Sequence, residues 1–131
     1  MASNIKTWQS PFVYLVDSDT KLQLSLAARL RRRDIIVNVF SSSESFLNSK
    51  LNSRAACLIV EVNLPKMDGI ELIENINNQG VRLPTLVLSS SGNLQTAVRA
   101  MQADALDFIE KPFLENTLVE KVLEIVNQSR L

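Results

Sequence analysis

Apolar and amphipathic segments alternate along the whole chain. Mainly apolar runs of strand length, bounded by polar, Gly or Pro residues, occupy positions 12–16, 35–40, 56–60 and 85–88, and the segment DFIE at 107–110 predicts a short fifth strand. Between these runs, apolar residues recur every three or four positions, which is the spacing of an amphipathic helix. Five strand–helix repeats with short connections predict an α/β fold, with a mainly parallel sheet and helices on both faces.

The first amphipathic segment, at 21–33, allows two interpretations. Leu22, Leu26 and Leu30 lie one helical turn apart. Leu22, Leu24 and Leu26 also alternate as they would in a strand. We predict a helix, because the segment is longer than an ordinary strand.

Capping residues help to place the other helices. Ser41 with Glu44, and Asp68 with Glu71, match the capping box that opens a helix. They predict a short second helix ending near Leu51 and a third helix after position 68. The apolar positions that mark the third, fourth and fifth helices are Ile70, Ile73 and Ile76, then Leu94, Ala97, Val98 and Met101, then Leu118, Val122, Ile125 and Val126.

The composition limits the classes of function. The 131 residues, 46% hydrophobic and 21% charged, fit one globular domain. Equal numbers of basic and acidic residues, 14 each, argue against direct binding of nucleic acid by bulk charge. With no histidine and a single cysteine, structural zinc is excluded. No apolar run approaches the ~20 residues of a membrane span. We therefore expect a cytoplasmic protein that does not contact membranes.

The first ten residues differ from the rest of the chain. Positions 1–10 are polar apart from Ile5 and Trp8 and contain no apolar core of a signal peptide. We expect a flexible N-terminal arm here, followed by one domain at 11–131. Docking of Trp8 on the body of the domain is the alternative.

Polar residues follow four of the predicted strands. In an open α/β sheet, ligands bind outside the carboxyl ends of the strands. The polar residues at those ends are Asp17, Ser18 and Asp19 after strand one, Glu61 and Asn63 after strand three, Ser89 after strand four and Lys111 after strand five. The sequence thus places carboxylates, hydroxyls and one ammonium at a single sheet edge.

Three motifs give the chain a family resemblance. They are Val16-Asp17 after strand one, the segment NLPKMDG at 63–69 and the segment DFIEKPF at 107–113. Together and in this order they resemble the response-regulator receiver domain of two-component signalling, over about 12–128. The last motif is most similar to the subgroup that precedes helix-turn-helix output domains. The resemblance implies a flavodoxin-like (βα)5 sandwich with strand order 2-1-3-4-5.

The resemblance also implies roles for the residues at the strand ends. In the family, two acids after strand one and an aspartate after strand three hold Mg²⁺, and that aspartate accepts a phosphoryl group from a histidine kinase. By motif, Asp17 and Ser18 match the two acids and Glu61 matches the phosphoacceptor. Asn63 matches the residue whose backbone carbonyl completes the metal site.

The remaining matched positions belong to the switch. Ser89 matches the switch hydroxyl, Phe108 the switch aromatic and Lys111 the lysine that pairs with the phosphoryl group. The family pattern further implies a cis bond between Lys111 and Pro112. Asp104 stands where the family usually has glycine, so this turn is either strained or left-handed at an aspartate.

Two departures from the family pattern bear on chemistry. Ser18 replaces a charged Mg²⁺ ligand by a neutral hydroxyl, and Mg²⁺ prefers carboxylate in near-ideal octahedral geometry. Glu61 moves its carboxylate outward by roughly 1.5 Å relative to aspartate, and a ~1 Å misplacement can cost about 100-fold in rate. We expect a weak or lost Mg²⁺ site, no other cofactor and no ordinary phosphorylation. Asp19 is better placed to cap the first helix than to rescue the metal.

These features suggest a degenerate receiver that is not an enzyme. We expect Glu61 to reach Lys111 and to imitate a phosphoryl group in part. The domain would then act through protein contacts, with a histidine kinase, an output domain or a second receiver. By family resemblance, helix four, strand five and helix five would form the contact face, including that of a homodimer.

Two other functions remain open. The first is a phosphorylatable response regulator that catalyses Mg²⁺-dependent phosphoryl transfer to Glu61 and controls transcription through a C-terminal DNA-binding domain outside this sequence. The second is a flavin-binding domain of similar topology, although no phosphate-binding loop is evident in the sequence.

Overall fold

The computed structural model describes residues 10–129, which form a five-stranded parallel sheet with helices on both faces. The strands are β1 (Phe12–Val16), β2 (Ile36–Phe40), β3 (Cys57–Glu61), β4 (Thr85–Ser89) and β5 (Asp107–Glu110). The helices are α1 (Thr20–Arg31), α2 (Ser43–Asn48), α3 (Gly69–Asn78), α4 (Leu94–Gln102) and α5 (Glu115–Ser129). The strand order β2-β1-β3-β4-β5 confirms the flavodoxin-like topology.

Two apolar layers cover the sheet. On one face, α1 and α5 bury residues such as Leu26 and Val122 against the sheet. On the other face, α2 and α3 bury residues such as Phe46 and Ile70. β3 lies between these layers with all five of its residues buried, as the continuous apolar run predicted. The strand ends therefore stand on a rigid core.

Strand positions follow the sequence prediction closely. β1 and β5 have the predicted bounds, whereas β3 ends one residue later than predicted, so that Glu61 is its last residue. α1 ends at Arg31, two residues early. There, Asp34 takes a left-handed conformation with φ of 64° and the backbone N–H of Ile35 donates to Leu30 O. This tight turn delays β2 to Ile36.

The start and end of α2 correct the prediction. The N-cap is Ser42, whose Oγ accepts from Ser45 N at 3.1 Å, so the capping box of Ser41 with Glu44 was wrong. Ser41 Oγ instead accepts a hydrogen bond from the side chain of Gln23 on α1. The helix ends at Asn48 rather than near Leu51. A tertiary contact thus competes with the local capping pattern.

α3 and α4 form where the sequence predicted, but the apolar side chains of α4 are unexpectedly exposed. The capping box of Asp68 and Glu71 is present at the start of α3. α4 also forms where its apolar spacing predicted, but three of its apolar side chains are exposed to solvent. These are Leu94 at 78%, Val98 at 45% and Met101 at 50% exposure. The apolar stripe of α4 therefore does not face the core of the domain.

The turn at Asp104 and the bond before Pro112 have the backbone conformations that the family pattern implied. Asp104 is left-handed with φ of 70°, and the Lys111–Pro112 bond is cis. No helix within residues 10–129 has the length and apolar character needed to cross a bilayer. The expected N-terminal arm lies, apart from Ser10, outside the described residues.

Candidate functional site

The sheet brings three charged side chains to one edge. Asp17 follows β1, Glu61 ends the neighbouring strand β3, and Lys111 follows β5. β4 lies between β3 and β5, so the lysine must reach across the end of β4. The backbone N–H of Lys111 donates to Ser89 O at 2.7 Å, and this bond anchors the backbone of Lys111 at the end of β4.

Lys111 contacts both carboxylates. Its Nζ donates to Glu61 Oε1 at 2.8 Å, as expected from the longer side chain of glutamate. The same nitrogen lies 2.9 Å from Asp17 Oδ2, without the geometry of a hydrogen bond, so this second contact is an ion pair. The other oxygen of Asp17 accepts from Asp19 N at 2.9 Å. One ammonium therefore bridges the two acids.

Ser18 binds the second oxygen of Glu61. Its backbone N–H and its hydroxyl donate to Glu61 Oε2 at 3.3 and 3.1 Å. Both oxygens of Glu61 are therefore engaged, one by Lys111 and one by Ser18. Ser18 stands where the family pattern has an acid, and here it acts as a hydrogen-bond donor to Glu61.

The site is largely shielded from water. The side chains of Asp17, Glu61 and Lys111 are 0%, 7% and 16% exposed. Burial raises the pKa of Asp17, and the negative charge of Glu61 adds to this effect. Burial alone would also raise the pKa of Glu61, but the hydrogen bond and charge of Lys111 lower that pKa below its ordinary value. Burial would depress the pKa of Lys111, yet its hydrogen bond to Glu61 and the negative charges of Asp17 and Glu61 raise that pKa above its ordinary value.

The donor set suits a lysine better than Mg²⁺. Two carboxylates face one ammonium, which leaves one net negative charge when both acids are ionised. Mg²⁺ requires several oxygen ligands in near-octahedral geometry. Within residues 10–129, no group of three or more acidic, histidine or cysteine side chains is arranged to hold a metal ion. Asp19 caps α1 by accepting from Lys21 N and Leu22 N, and is thus engaged elsewhere. Compared with the family pattern, the site keeps two carboxylates, Asp17 and Glu61, and has the hydroxyl of Ser18 in place of a third acid.

The other predicted site residues lie close by but bind elsewhere. Asn63 Oδ1 accepts from the backbone N–H and the hydroxyl of Ser90, which ties the loop after β3 to the loop after β4. Ser89 Oγ donates to Ser91 O at 2.8 Å within its own loop and has no hydrogen bond to Glu61 in the described part of the chain. Phe108 is half-buried and packs against the core beneath α4.

Sequence reasoning missed one supporting residue, Gln23. Its side chain is buried on α1 and donates to Asp17 O and to Ser41 Oγ. It thereby fixes the backbone that presents Asp17. A signal was available, because Gln23 precedes Leu26 and Leu30 by three and seven positions and so lies on the buried face of the helix.

A glycine supports the end of β3 from below. A Cβ atom at Gly69 would lie 2.0 Å from Glu61 O, far inside van der Waals contact. The N–H of Gly69 donates to Val62 O at 3.0 Å, so α3 starts directly against the strand end. Only glycine permits this close approach.

Comparison with known proteins gives the same family throughout. Residues 13–123 match the response regulator receiver domain family. The transcriptional regulatory protein FixJ of Rhizobium meliloti (strain 1021) is 34% identical over 110 residues, which are 84% of this chain and 54% of FixJ. The response regulator protein TodT of Pseudomonas putida is 32% identical over 121 residues, 90% of this chain and 53% of TodT. The chain thus spans about half the length of these curated relatives.

A solved structure is similar over nearly its whole length. The response regulator receiver protein from Pseudoalteromonas atlantica superimposes with a TM-score of 0.85 at 41% sequence identity, covering 91% of this chain and 99% of that one.

Proposed function

Since the chain belongs to the response regulator receiver domain family, we propose that it signals through protein contacts without ordinary phosphorylation. Glu61 supplies a permanent carboxylate at the acceptor position. The domain is then a binding module rather than an enzyme, and it works in the cytoplasm.

One observation carries this proposal. Lys111 Nζ lies 2.8 Å from Glu61 Oε1 and 2.9 Å from Asp17 Oδ2, while Ser18 donates to Glu61 Oε2. The lysine that would meet a phosphoryl group already has carboxylate partners. A carboxylate provides about one negative charge, compared with about 1.5 to 2 for a phosphoryl group. Glu61 would therefore imitate a modified acceptor only in part.

The donor set supports the absence of metal-dependent catalysis. Phosphoryl transfer relies on positioning and on neutralising charge at the transferred group. Ser18 contributes no charge to a cation and its hydroxyl is directed to Glu61. An incoming phosphoryl group would also have to displace Lys111 or Ser18 from the glutamate. Both effects raise the barrier to transfer.

Intact-mass measurement tests this proposal. The protein is incubated with Mg²⁺ and a small acyl phosphate, and the Glu61→Gln variant is treated in parallel. We expect no stoichiometric gain of a phosphoryl group in either protein. If the native chain gains the mass of a phosphoryl group and Glu61→Gln does not, the proposal is contradicted.

The exposed stripe of α4 supports a location for the protein contact. Leu94, Val98 and Met101 recur at helical spacing and are all at least 45% exposed. Leu106, immediately before β5, is also 55% exposed. We infer that the face of α4, β5 and α5 binds another receiver, including a second copy of this chain, or an output domain.

A charge substitution tests this face. We expect Val98→Glu to reduce self-association or binding to an output domain, because a carboxylate in an apolar contact must lose its hydration. Leu24→Glu on α1 is the matched control, since Leu24 is 74% exposed on the opposite face of the sheet. Light scattering after gel filtration measures the oligomeric state. Equal behaviour of the two variants would count against the face.

Glu61→Ala tests the link between site and surface. If the carboxylate holds the domain in one signalling state, its removal should change self-association or partner binding. The variant must first be shown to be folded, because it leaves Lys111 and Asp17 without their neighbour. A folded variant with unchanged association and binding would contradict the link.

A second candidate keeps phosphorylation. FixJ and TodT are named as regulatory proteins, and Asp17, Lys111 and Ser89 keep the family pattern. In this alternative a histidine kinase phosphorylates Glu61 with Mg²⁺, and a DNA-binding domain outside this sequence controls transcription. The mass measurement above separates this candidate from the first.

A further inference from the structure

α4 is anchored in the core only toward its C-terminal end. Among the residues Leu94–Gln102, Ala100 alone is buried. Just after the helix, Asn77 Nδ2 on α3 donates to Ala103 O at 3.2 Å. Nearer the start of the helix, Leu94 and Val98 are 78% and 45% exposed. The position of the N-terminal half therefore depends on contacts outside the core.

The loop before α4 is short and is folded against the end of β4. Ser89 Oγ donates to Ser91 O at 2.8 Å, and Asn93 N donates to the same oxygen at 2.9 Å. Asn93 Oδ1 then accepts from Thr96 N at 2.7 Å and caps the helix. Gly92 lies directly before this cap, so a contact at Gly92 acts on the first turn of α4.

The side chain of Glu110 lies over Gly92. A Cβ atom at Gly92 would lie 2.6 Å from Glu110 Oε1 and closer still to Oε2, so the carboxylate fills the space that another side chain would need. Gly92 does not have a positive φ, in contrast to Gly80. The missing side chain of Gly92, and not its backbone conformation, permits the contact. Because Glu110 is the last residue of β5, the contact ties the end of β5 to the start of α4.

The charge of Glu110 complements the start of α4. The first N–H groups of a helix have no partner within the helix and attract negative charge. α2, α3 and α5 each have a glutamate in their first turn, whereas α4 has no acidic residue there and is capped by the neutral Asn93. Glu110 takes part in none of the ion pairs within residues 10–129. A carboxylate from β5 thus supplies the charge that α4 lacks in its own sequence.

Glu110 is also the direct neighbour of a residue of the site. Lys111 Nζ donates to Glu61 Oε1 at 2.8 Å, while the preceding residue contacts the loop before α4. A change that moves Lys111 therefore acts on the backbone that carries Glu110. The family pattern assigns the switch to Ser89 and Phe108 and gives no role to Glu110.

We propose that Glu110 is a positioning residue that holds Gly92 and the N-terminus of α4. Through this contact, a change in the pairing of Lys111 with Glu61 reaches Leu94, the first residue of the exposed apolar stripe. The inference rests on the proposed function, in which α4 is part of the contact face.

Amide resonances of the nitrogen-15-labelled protein test the contact. We expect Glu110→Ala to shift the amide resonances of residues 94–96, whereas Glu74→Ala, at an exposed glutamate of α3, should leave them unchanged. In Gly92→Ala the new methyl group displaces the carboxylate. Adding Glu110→Ala to Gly92→Ala should therefore cause little further shift, because both changes remove the same contact. Equal shifts in the two backgrounds, or no shift at all, would overturn the proposal.

The same resonances test the connection to the site. Glu61→Gln keeps the length of the side chain but removes the charge that Lys111 binds, and it should shift the resonances of residues 94–96 in the native chain. In Glu110→Ala, the shift caused by Glu61→Gln should be several-fold smaller. A purely structural Glu110 would lower the thermal midpoint without changing this response.

The outcomes separate this inference from the proposed function. An undiminished response to Glu61→Gln in Glu110→Ala would overturn the role of Glu110 and leave the proposed function intact. No response to Glu61→Gln in the native chain would overturn both this inference and the proposed link between site and surface. The proposed lack of phosphorylation is decided independently by the intact-mass measurement.

Discussion

Replacing Lys111 by methionine should destabilise the domain far more than its partial exposure suggests. Lys111→Met keeps most of the side-chain length but removes the ammonium between Asp17 and Glu61. Two carboxylates with side chains 0% and 7% exposed would then face each other without a cation. Hydrogen bonds from Ser18 and from Asp19 N would remain, and these satisfy one oxygen of each acid.

The expected loss is about 3 kcal/mol in the free energy of unfolding near neutral pH. Removing one partner of a buried pair costs about 3–5 kcal/mol. We expect the lower end because Lys111 is 16% exposed and because a proton can replace its charge. With a urea m-value of about 1.5 kcal/mol/M, the unfolding midpoint should fall by about 2 M.

The loss should also depend on pH in a defined direction. In the native chain Lys111 lowers the pKa of Glu61 below its unfolded value of about 4.3. The resulting stability is present above that pH and is lost as the pH falls through the folded pKa. The pKa of Asp17 is raised, chiefly by burial, so its contribution has the opposite sign and is lost as the pH rises through its folded pKa.

In Lys111→Met the ammonium that lowers the pKa of Glu61 is absent. Burial then raises the pKa of both Glu61 and Asp17. The folded variant then binds protons more tightly than its unfolded chain, so acidification stabilises it relative to the native protein. The difference in stability between native chain and variant should therefore shrink from about pH 7 to about pH 5.

Urea unfolding followed by far-ultraviolet circular dichroism, at both pH values, measures this difference. Lys121→Met is the matched control, because Lys121 pairs with Asp107 at 2.7 Å but both side chains are more than 40% exposed. An exposed pair contributes about 0–1 kcal/mol. Equal losses in the two variants, or a loss at Lys111 that does not change with pH, would refute the reasoning about the buried site.

Three further predictions concern the residues around the site. Ser18→Asp combined with Glu61→Asp restores the acidic pattern of the family and should bind Mg²⁺ more tightly than the native chain in isothermal titration; equal binding would show that another feature excludes the metal. Gly69→Ala should lower the thermal midpoint and shift the amide resonance of Glu61, since the new Cβ meets Glu61 O; an undisturbed Glu61 would contradict the close approach. Asp68→Ala should cost about 1 kcal/mol in urea unfolding by removing the cap of α3, whereas Asn78→Ala at the exposed last residue of α3 should cost less.

Some elements were predictable because their signals are local. β1 and β5 match their predicted bounds: β1 is a short apolar run followed by Asp17, and β5 is the short segment DFIE that ends before Lys111. The capping box of Asp68 and Glu71 also formed as predicted. That pattern involves only neighbours in sequence, and no tertiary contact competes for Asp68 Oδ1.

Other elements were decided by contacts between distant segments. Ser41 and Ser42 are equivalent in local capping chemistry, and the side chain of Gln23 binds Ser41, which leaves Ser42 as the cap. The end of α2 was also misplaced: the helix ends at Asn48, and beyond it Asn52 N donates to the hydroxyl of Tyr14 on β1. Helical spacing identified α4 correctly, but it did not predict that the apolar side chains of this helix are exposed to solvent rather than packed on the core.

The sequence by itself determined that carboxylates, a serine and a lysine meet at one edge of a parallel sheet. The alternation of strands and helices is a local signal, and parallel strands place their carboxyl ends on the same side. Only the tertiary structure decided how these groups are paired. Lys111 spans the end of β4 to bridge Asp17 and Glu61, and Ser18 donates to Glu61. Such pairing depends on distances of a fraction of an ångström, which packing of the whole core sets.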